Sequence, residues 1–368
     1  MYSRSMAQSR TNFWWETSIH VSSPLSPEKS VVCPDPCARF SQSEAIHARS
    51  MLPCQDTPSV KSKWKAEITS PLRVLTSGIQ GSRIPEPDSP ALTIYYSSQP
   101  VPVPSYLITL ASGDIASASI GPRSTLYTEP SFLSACQYEF SQDTETFIST
   151  AEQLVTPYVW STYDILVLPK SFPYGGMENP NLTTVTPTLI AGDRSNVDVV
   201  AHEASHSWSG NLVTNATWED FWLNEGWTVF LERKITGRMH GNEFAEFSAI
   251  LGWKALKDSV DQYGDDEDGF TQLVTNLEGK DPDDAFSSIP YVPLLLSNLS
   301  ANVCRRKDSI CSMKFNLKSV EQKSSNPLCQ HTSHASNSIP FQQKISKVTC
   351  TNGLLKNTVS KYNKNSIP

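Results

Sequence analysis

Residues 202–206 read His-Glu-Ala-Ser-His. Residues four apart on a helix stack on one face. His202 and His206 can therefore grip one Zn²⁺, while Glu203, about 100° further round, faces the water that such a metal activates and serves as general base. The motif alone also fits a surface helix that carries two histidines. Two features favour the metal. His202 and His206 are two of only seven histidines, and the next nearest is His240. Glu225, in Asn224-Glu225-Gly226, follows His206 after 18 intervening residues. A second helix antiparallel to the first could return Glu225 as a third ligand. His₂Glu with one open position is a catalytic pattern rather than a closed structural one.

Positioning these groups requires at least two helices. Ser195 with Asp198, and Thr217 with Asp220, have capping-box spacing, so helices are expected at about 196–210 and 218–236. Residues 242–262 read as a third, and Thr144–Val155 has helical spacing. Asp164–Leu168 reads as a short buried strand closed by Pro169, Gly175-Gly176 as a turn, and Thr183–Ile190 as a further strand. Upstream, from Phe40 to Ile120, apolar runs alternate with Pro, Gly and Ser. Strands are expected at 64–68, 92–96 and 106–110, with Gly78–Pro90 as turn material. Residues 1–38 are polar and irregular, an arm without a core of its own.

The chain has 368 residues and a net charge of −7, an acidic balance that argues against a nucleic-acid binder. The average hides a split. Residues 292–368 hold 11 Lys/Arg and 2 Asp/Glu, a local +9, and no Trp; residues 1–291 hold 19 and 35, a local −16. The tail is expected to be disordered. The first twenty residues lack an apolar signal core, and no run approaches the ~18 apolar residues of a membrane helix. The expectation is a cytoplasmic protein with no membrane insertion. Of the eight cysteines only Cys136 lies between Cys54 and Cys304, which is not the spread of a disulfide framework. Cys33 and Cys37 lack a second pair to complete a zinc knuckle. Sequons at Asn181, Asn215 and Asn298 are expected to be idle without a secretory route.

Gly175-Gly176-Met177-Glu178-Asn179-Pro180 precedes His202 by 22 residues. With His-Glu-x-x-His and Glu225, this resembles the gluzincin aminopeptidases, which carry G-x-M-E-N upstream of their zinc motif, and in particular their leukotriene A(4) hydrolase branch. The similar wording runs from about Phe40 to Tyr291, including Leu52–Lys61, Pro169–Pro180 and Ala201–Arg233. The resemblance implies one Zn²⁺ per chain on His202, His206 and Glu225, with Glu203 activating water. It implies that Glu178 binds the free α-amine of a peptide substrate, because a carboxylate suits an ammonium. Tyr174, Gly175, Gly176 and Met177 would lie along the peptide, with Gln42 also touching it. Tyr291 would stabilise the oxyanion, and Asp283 would serve if a lipid epoxide is also a substrate. Trp208, Trp218, Trp222 and Trp227 read as packing around the site. Glu232 reads equally as a hydrogen-bond partner of a ligand histidine or as a surface ion pair.

The implied fold class is α+β. An arm at 1–38 is followed by a partial N-terminal β-sandwich or saddle domain at 39–120, a thermolysin-like zinc metallopeptidase domain at 121–291 and a divergent basic tail at 292–368. The family's C-terminal helical domain has no counterpart in this sequence. Phe286 stands where the hydrolase branch has a tyrosine, and Glu44 where it has a glutamine. The expected function is zinc-dependent removal of N-terminal residues from peptides. The alternatives are a zinc endopeptidase, which G-x-M-E-N argues against, and a truncated, non-catalytic isoform or gene-model fragment. Catalytic helices without their usual partners would leave the chain unstable or weakly active.

Overall fold

The computed structural model describes residues 19–20, 39–263 and 269–292. Most of the arm, and the tail from 293 onward, lie outside the described residues. The strands are β1 (Ile19–His20), β2 (Arg39–Phe40), β3 (Lys61–Ser70), β4 (Arg73–Thr76), β5 (Ile79–Glu86), β6 (Ser89–Pro104), β7 (Leu110–Gly113), β8 (Ala116–Ser119), β9 (Thr125–Thr128), β10 (Asp164–Val167), β11 (Gly176–Met177) and β12 (Leu182–Val185). The helices are α1 (Ala48–Met51), α2 (Leu133–Phe140), α3 (Thr144–Leu154), α4 (Asp198–His206), α5 (Trp222–His240) and α6 (Asn242–Tyr263). The fold is α+β, and the chain divides into two compact units.

The first unit spans Met1–Thr146 and Val159–Ser207. It holds a four-stranded sheet ordered β1-β3-β6-β5, a three-stranded sheet β2-β7-β4, and a five-stranded sheet β11-β12-β10-β9-β8. In the last, β9, β10 and β12 run parallel, and antiparallel β8 and β11 form its edges. Both β10 and β12 are buried along their whole length, as expected of central parallel strands covered on both faces. Three expectations are corrected here. Gly78–Pro90 is not simply a turn: most of it is β5, paired with β6 and exposed at nearly every position, so no burial alternation marked it in the sequence. The strand expected at 106–110 is instead a single 3-10 turn at Ser105–Leu107 following the sixteen-residue β6. Likewise Thr183–Ile190 is strand only to Val185, and Pro187 then opens a 3-10 turn.

Asp164, in β10, accepts a hydrogen bond from the Thr125 backbone N–H at 2.8 Å. Burial nevertheless pushes its carboxyl up to about 6. A folded-state value above the unfolded one means the native state holds the proton more tightly, so this group lowers stability as pH rises from about 4 to about 6. Asp164→Asn retains the acceptor and removes the charge. Its unfolding free energy at pH 7 should exceed wild type by about 1–3 kcal/mol, and the gain should vanish below pH 4 in denaturant melts.

The second unit spans Phe147–Tyr158 and Trp208–Pro368. Helices α5 and α6 form an antiparallel hairpin. Gly241 joins them at φ 99°, a left-handed conformation that favours glycine. Gly237 lets the helices close, since a Cβ there would lie 3.2 Å from Ala245 Cβ, and Arg233 Nε donates to Ser248 Oγ at 3.1 Å. Ala249 and Val292 form a small buried cluster, with Leu256 and Tyr291 packed against it. Elsewhere on α6, Phe244, Phe247, Ile250 and Leu251 are exposed. No described helix is long and apolar enough to cross a membrane. The sequons at Asn181 and Asn215 are buried, so the fold itself shields both.

Candidate active site

Helix α4 begins at Asp198 rather than Ser195. Val197 is its N-cap, with no side-chain cap bond, so the expected capping box does not form. The entry is set by a distant residue. The buried Glu139 carboxylate accepts the backbone N–H groups of Gly192 and Arg194 at 3.0 and 2.9 Å, while Arg194 pairs with Asp143 at 3.0 Å. Thr217 also makes no backbone cap. Its hydroxyl meets the Asp220 carboxylate at 3.3 Å, and a 3-10 turn at Trp218–Asp220 precedes α5.

The loop between α3 and β10 holds α4 at both ends. Tyr163 Oη donates to the Val200 carbonyl at 3.5 Å, and Trp160 Nε1 donates to the Ser207 carbonyl at 3.0 Å. One turn apart on this clamped helix, His202 and His206 bring their Nε2 atoms to 3.2 Å, with the rings edge to face at 4.8 Å. Zinc–nitrogen bonds of 2.0–2.1 Å in tetrahedral array require nitrogens about 3.3 Å apart. The pair therefore fits a shared zinc ion. On the other side of His206, Nδ1 lies 3.8 Å from Glu178 Oε1.

Glu178, Glu203 and His206 also bring one donor atom each within 4.8 Å of one another. All three are buried. Two buried carboxylates in low dielectric strongly favour a cation nearby. For zinc itself the His202–His206 pair is the better seat, because its spacing matches one tetrahedral edge.

Glu178 directly follows β11, the edge strand of its sheet. Gly176 pairs with Val185 and Met177 with Thr184, and among the described residues no strand pairs with the other side of β11. Sequence reasoning gave Gly176 only a place beside the peptide, and the structure adds a contact. A Cβ on Gly176 would fall 2.1 Å from Glu203 Oε1 and 2.7 Å from its Cγ, so glycine makes the room in which Glu203 sits. Gly176→Ala should fold and keep its metal, yet lower kcat at least about tenfold by displacing Glu203; steady-state rates beside metal content would show it. Gln42 donates weakly to Met177 Sδ at 3.6 Å. Tyr174 packs edge-on to Phe172 at 6.0 Å, and Gly175 is exposed.

The remaining expected residues belong to the second unit. Glu225 is buried in the first turn of α5. The 209–215 loop laces onto that turn: Ser209 Oγ donates to the Asn224 carbonyl at 3.1 Å, Asn224 Oδ1 accepts the Asn215 N–H at 2.9 Å, and Thr228 Oγ1 donates to the Ser209 carbonyl at 3.1 Å. Tyr291 is half-buried, its ring 6.5 Å from that of Phe286, which in turn lies 6.1 Å from Phe221. Asp283 is exposed in a 3-10 turn, its N–H bonded to Asp281 Oδ1 at 3.1 Å.

The peptidase M1 N-terminal domain matches residues 35–107, and the peptidase family M1 domain matches residues 138–304. The chain carries peptidase family M1 domains. The M1 match extends beyond Tyr291, where the sequence resemblance had been drawn to a close. The chain is 60% identical over 253 residues to leucine aminopeptidase 2 of Aspergillus terreus, covering 68% of this chain and 41% of that protein. It is also 60% identical over 256 residues to a leukotriene A-4 hydrolase homolog of Botryotinia fuckeliana, covering 68% and 40%. Among solved structures, native yeast LTA4 hydrolase matches with a TM-score of 0.66 at 57% identity, covering 71% of this chain and 40% of that one. Yeast LTA4 hydrolase in complex with bestatin matches with 0.67 at 55%, covering 73% and 41%. The chain thus spans about two fifths of the length of these relatives.

Proposed function

We propose that this M1-domain chain is a zinc-dependent aminopeptidase, taking peptides with a free N-terminus. The observation that carries the reading is the His202–His206 pair at zinc spacing, set beside buried Glu203 and Glu178. Leucine aminopeptidase 2 among its relatives, and the bestatin complex of the yeast hydrolase, support the same reading.

His202, His206 and Glu225 would hold the zinc. When bound, zinc supplies a Lewis acid that polarises the peptide carbonyl and makes water nucleophilic at neutral pH. Glu203 takes the proton from the attacking water and returns it to the departing amine. Glu178 holds the substrate ammonium, which determines which amide reaches the reacting centre. The backbone of Gly175 and Gly176 pairs with the peptide in strand fashion, flanked by Tyr174, Met177 and Gln42. Tyr291 donates a hydrogen bond from its phenol to the developing oxyanion. We take 39–120 as the N-terminal β domain and 121–291 as the catalytic domain. Similarity to the Botryotinia protein extends the proposal to a lipid epoxide, with Asp283 as the acidic group that opens it.

The test compares an aminoacyl-anilide with its N-acetylated form. Hydrolysis of the free amine should be faster by at least about 100-fold, since a buried charge pair is lost on acetylation. Equal rates would sink the exopeptidase assignment and favour an endopeptidase; an inert, metal-free protein would favour a non-catalytic chain.

A further inference from the structure

Glu178 and helix α4 are held at a fixed separation by a chain of buried hydrogen bonds that begins in the N-terminal β structure. Gln99, in β6, donates from Nε2 to Asn181 Oδ1 at 2.9 Å and to the Ser77 carbonyl at 3.2 Å, while its Oε1 accepts the Val101 N–H at 3.2 Å. The Gln99 amide is thereby fixed in orientation as well as place. Asn181 adopts φ 63°, a left-handed conformation that asparagine tolerates better than most residues. It lies three residues after Glu178, with Pro180 stiffening the link. Its Nδ2 donates to the Trp160 carbonyl, and also to Thr162 Oγ1 at 3.1 Å. Trp160 then donates from its indole to the Ser207 carbonyl, one residue past His206.

Gln99, Asn181, Trp160 and Ser207 are all almost wholly buried, so each bond is sheltered from competing water. Trp160 is the common member: its carbonyl receives the segment that bears Glu178, and its indole holds the end of the helix that bears His202, Glu203 and His206. The separation between these two parts decides where the scissile carbonyl falls once an ammonium sits on Glu178.

We propose that Gln99, Asn181 and Trp160 are positioning residues that fix the amine-binding carboxylate of Glu178 relative to the metal helix, and so set exopeptidase selectivity. None of them touches substrate in this scheme. The proposal rests on the aminopeptidase reading. Its distinctive consequence is selectivity for the α-amine, not total activity. A misplacement of about 1 Å costs roughly 10²-fold in rate, and here it falls on substrates whose amine is held.

The test uses the full chain with Trp160→Phe and Asn181→Gly. The first removes the indole donor with part of the buried ring and keeps the carbonyl that receives Asn181; the second keeps the left-handed backbone and removes the side chain. The ratio of kcat/KM for an aminoacyl-anilide to that for its des-amino analogue does not depend on how much of the protein is folded. It should fall at least about tenfold in both variants. A second measurement needs no turnover: calorimetry on metal-stripped protein with an amino-acid amide, where affinity relative to the des-amino compound should fall in parallel. Gln99→Glu, which keeps an acceptor for Val101 but loses the donors, should show the same sign. If both ratios stay within a factor of two of wild type, the proposal is overturned, whatever happens to melting temperature. If Glu203→Gln hydrolyses the anilide at the wild-type rate, the aminopeptidase reading has failed instead, and the calorimetric ratio still decides whether the relay positions Glu178.

Discussion

Glu203→Gln should leave the chain folded and metal-loaded while lowering kcat for an aminoacyl-anilide by roughly 10²–10⁴-fold, with KM little changed. The substitution is nearly isosteric, so it fills the same slot against Gly176 that a Cβ on that glycine would invade. What it loses is basicity: an amide takes no proton from water and returns none to the leaving amine. Glu178 and Glu203 are both buried and close together. Neutralising one relieves repulsion between them, so the melting temperature of the metal-free protein should hold or rise. This separates a lost proton carrier from a damaged fold. Activity within a factor of three of wild type, at equal metal content, would remove Glu203 from the mechanism.

His206→Ala should abolish zinc binding outright. The residue is almost completely buried and faces two ways: Nε2 toward His202 at 3.2 Å and Nδ1 toward Glu178 at 3.8 Å. Losing a hydrogen-bond partner behind a ligand costs about 10- to 100-fold in metal affinity, and losing a ligand should cost more. Metal per chain should drop from about one to below about 0.1 after dialysis against a mild chelator. His240→Ala is the control, because His240 is exposed at the far end of α5; it should retain its zinc. If the His206 variant kept zinc with wild-type affinity, the metal would have to sit elsewhere.

The parts that could be read from sequence are those whose logic is local. Two histidines at i and i+4 fall on one helical face wherever the helix begins, so the paired imidazoles did not depend on its start being placed correctly. The start itself was misplaced. Ser195 with Asp198 looks like a cap, but the turn entering α4 is held by Glu139, more than fifty residues earlier, and no rule of spacing reaches that far. Strand β5 was read as turn for a related reason: its pairing with β6 is tertiary, and its exposed residues carry no alternation. Helix α2, eight residues long, carried too weak a pattern to register. Trp160 and Asn181 were legible only as a tryptophan among nine and as a sequon. Their bonds to Ser207 and Gln99 cross 47 and 82 positions respectively. For Gly176 the sequence suggested only a backbone beside the peptide; that the position must stay small because Glu203 fills the space is a tertiary fact.

Phe244, Phe247, Ile250 and Leu251 along α6 have a colloidal consequence. Clustered apolar side chains open to water attract one another between molecules, with a driving force that strengthens on warming from the cold. Light scattering should therefore depend on protein concentration and temperature long before secondary structure melts. Replacing Phe247 and Leu251 with glutamate should extend the concentration range over which the chain stays monodisperse, without touching the residues that would bind zinc or peptide.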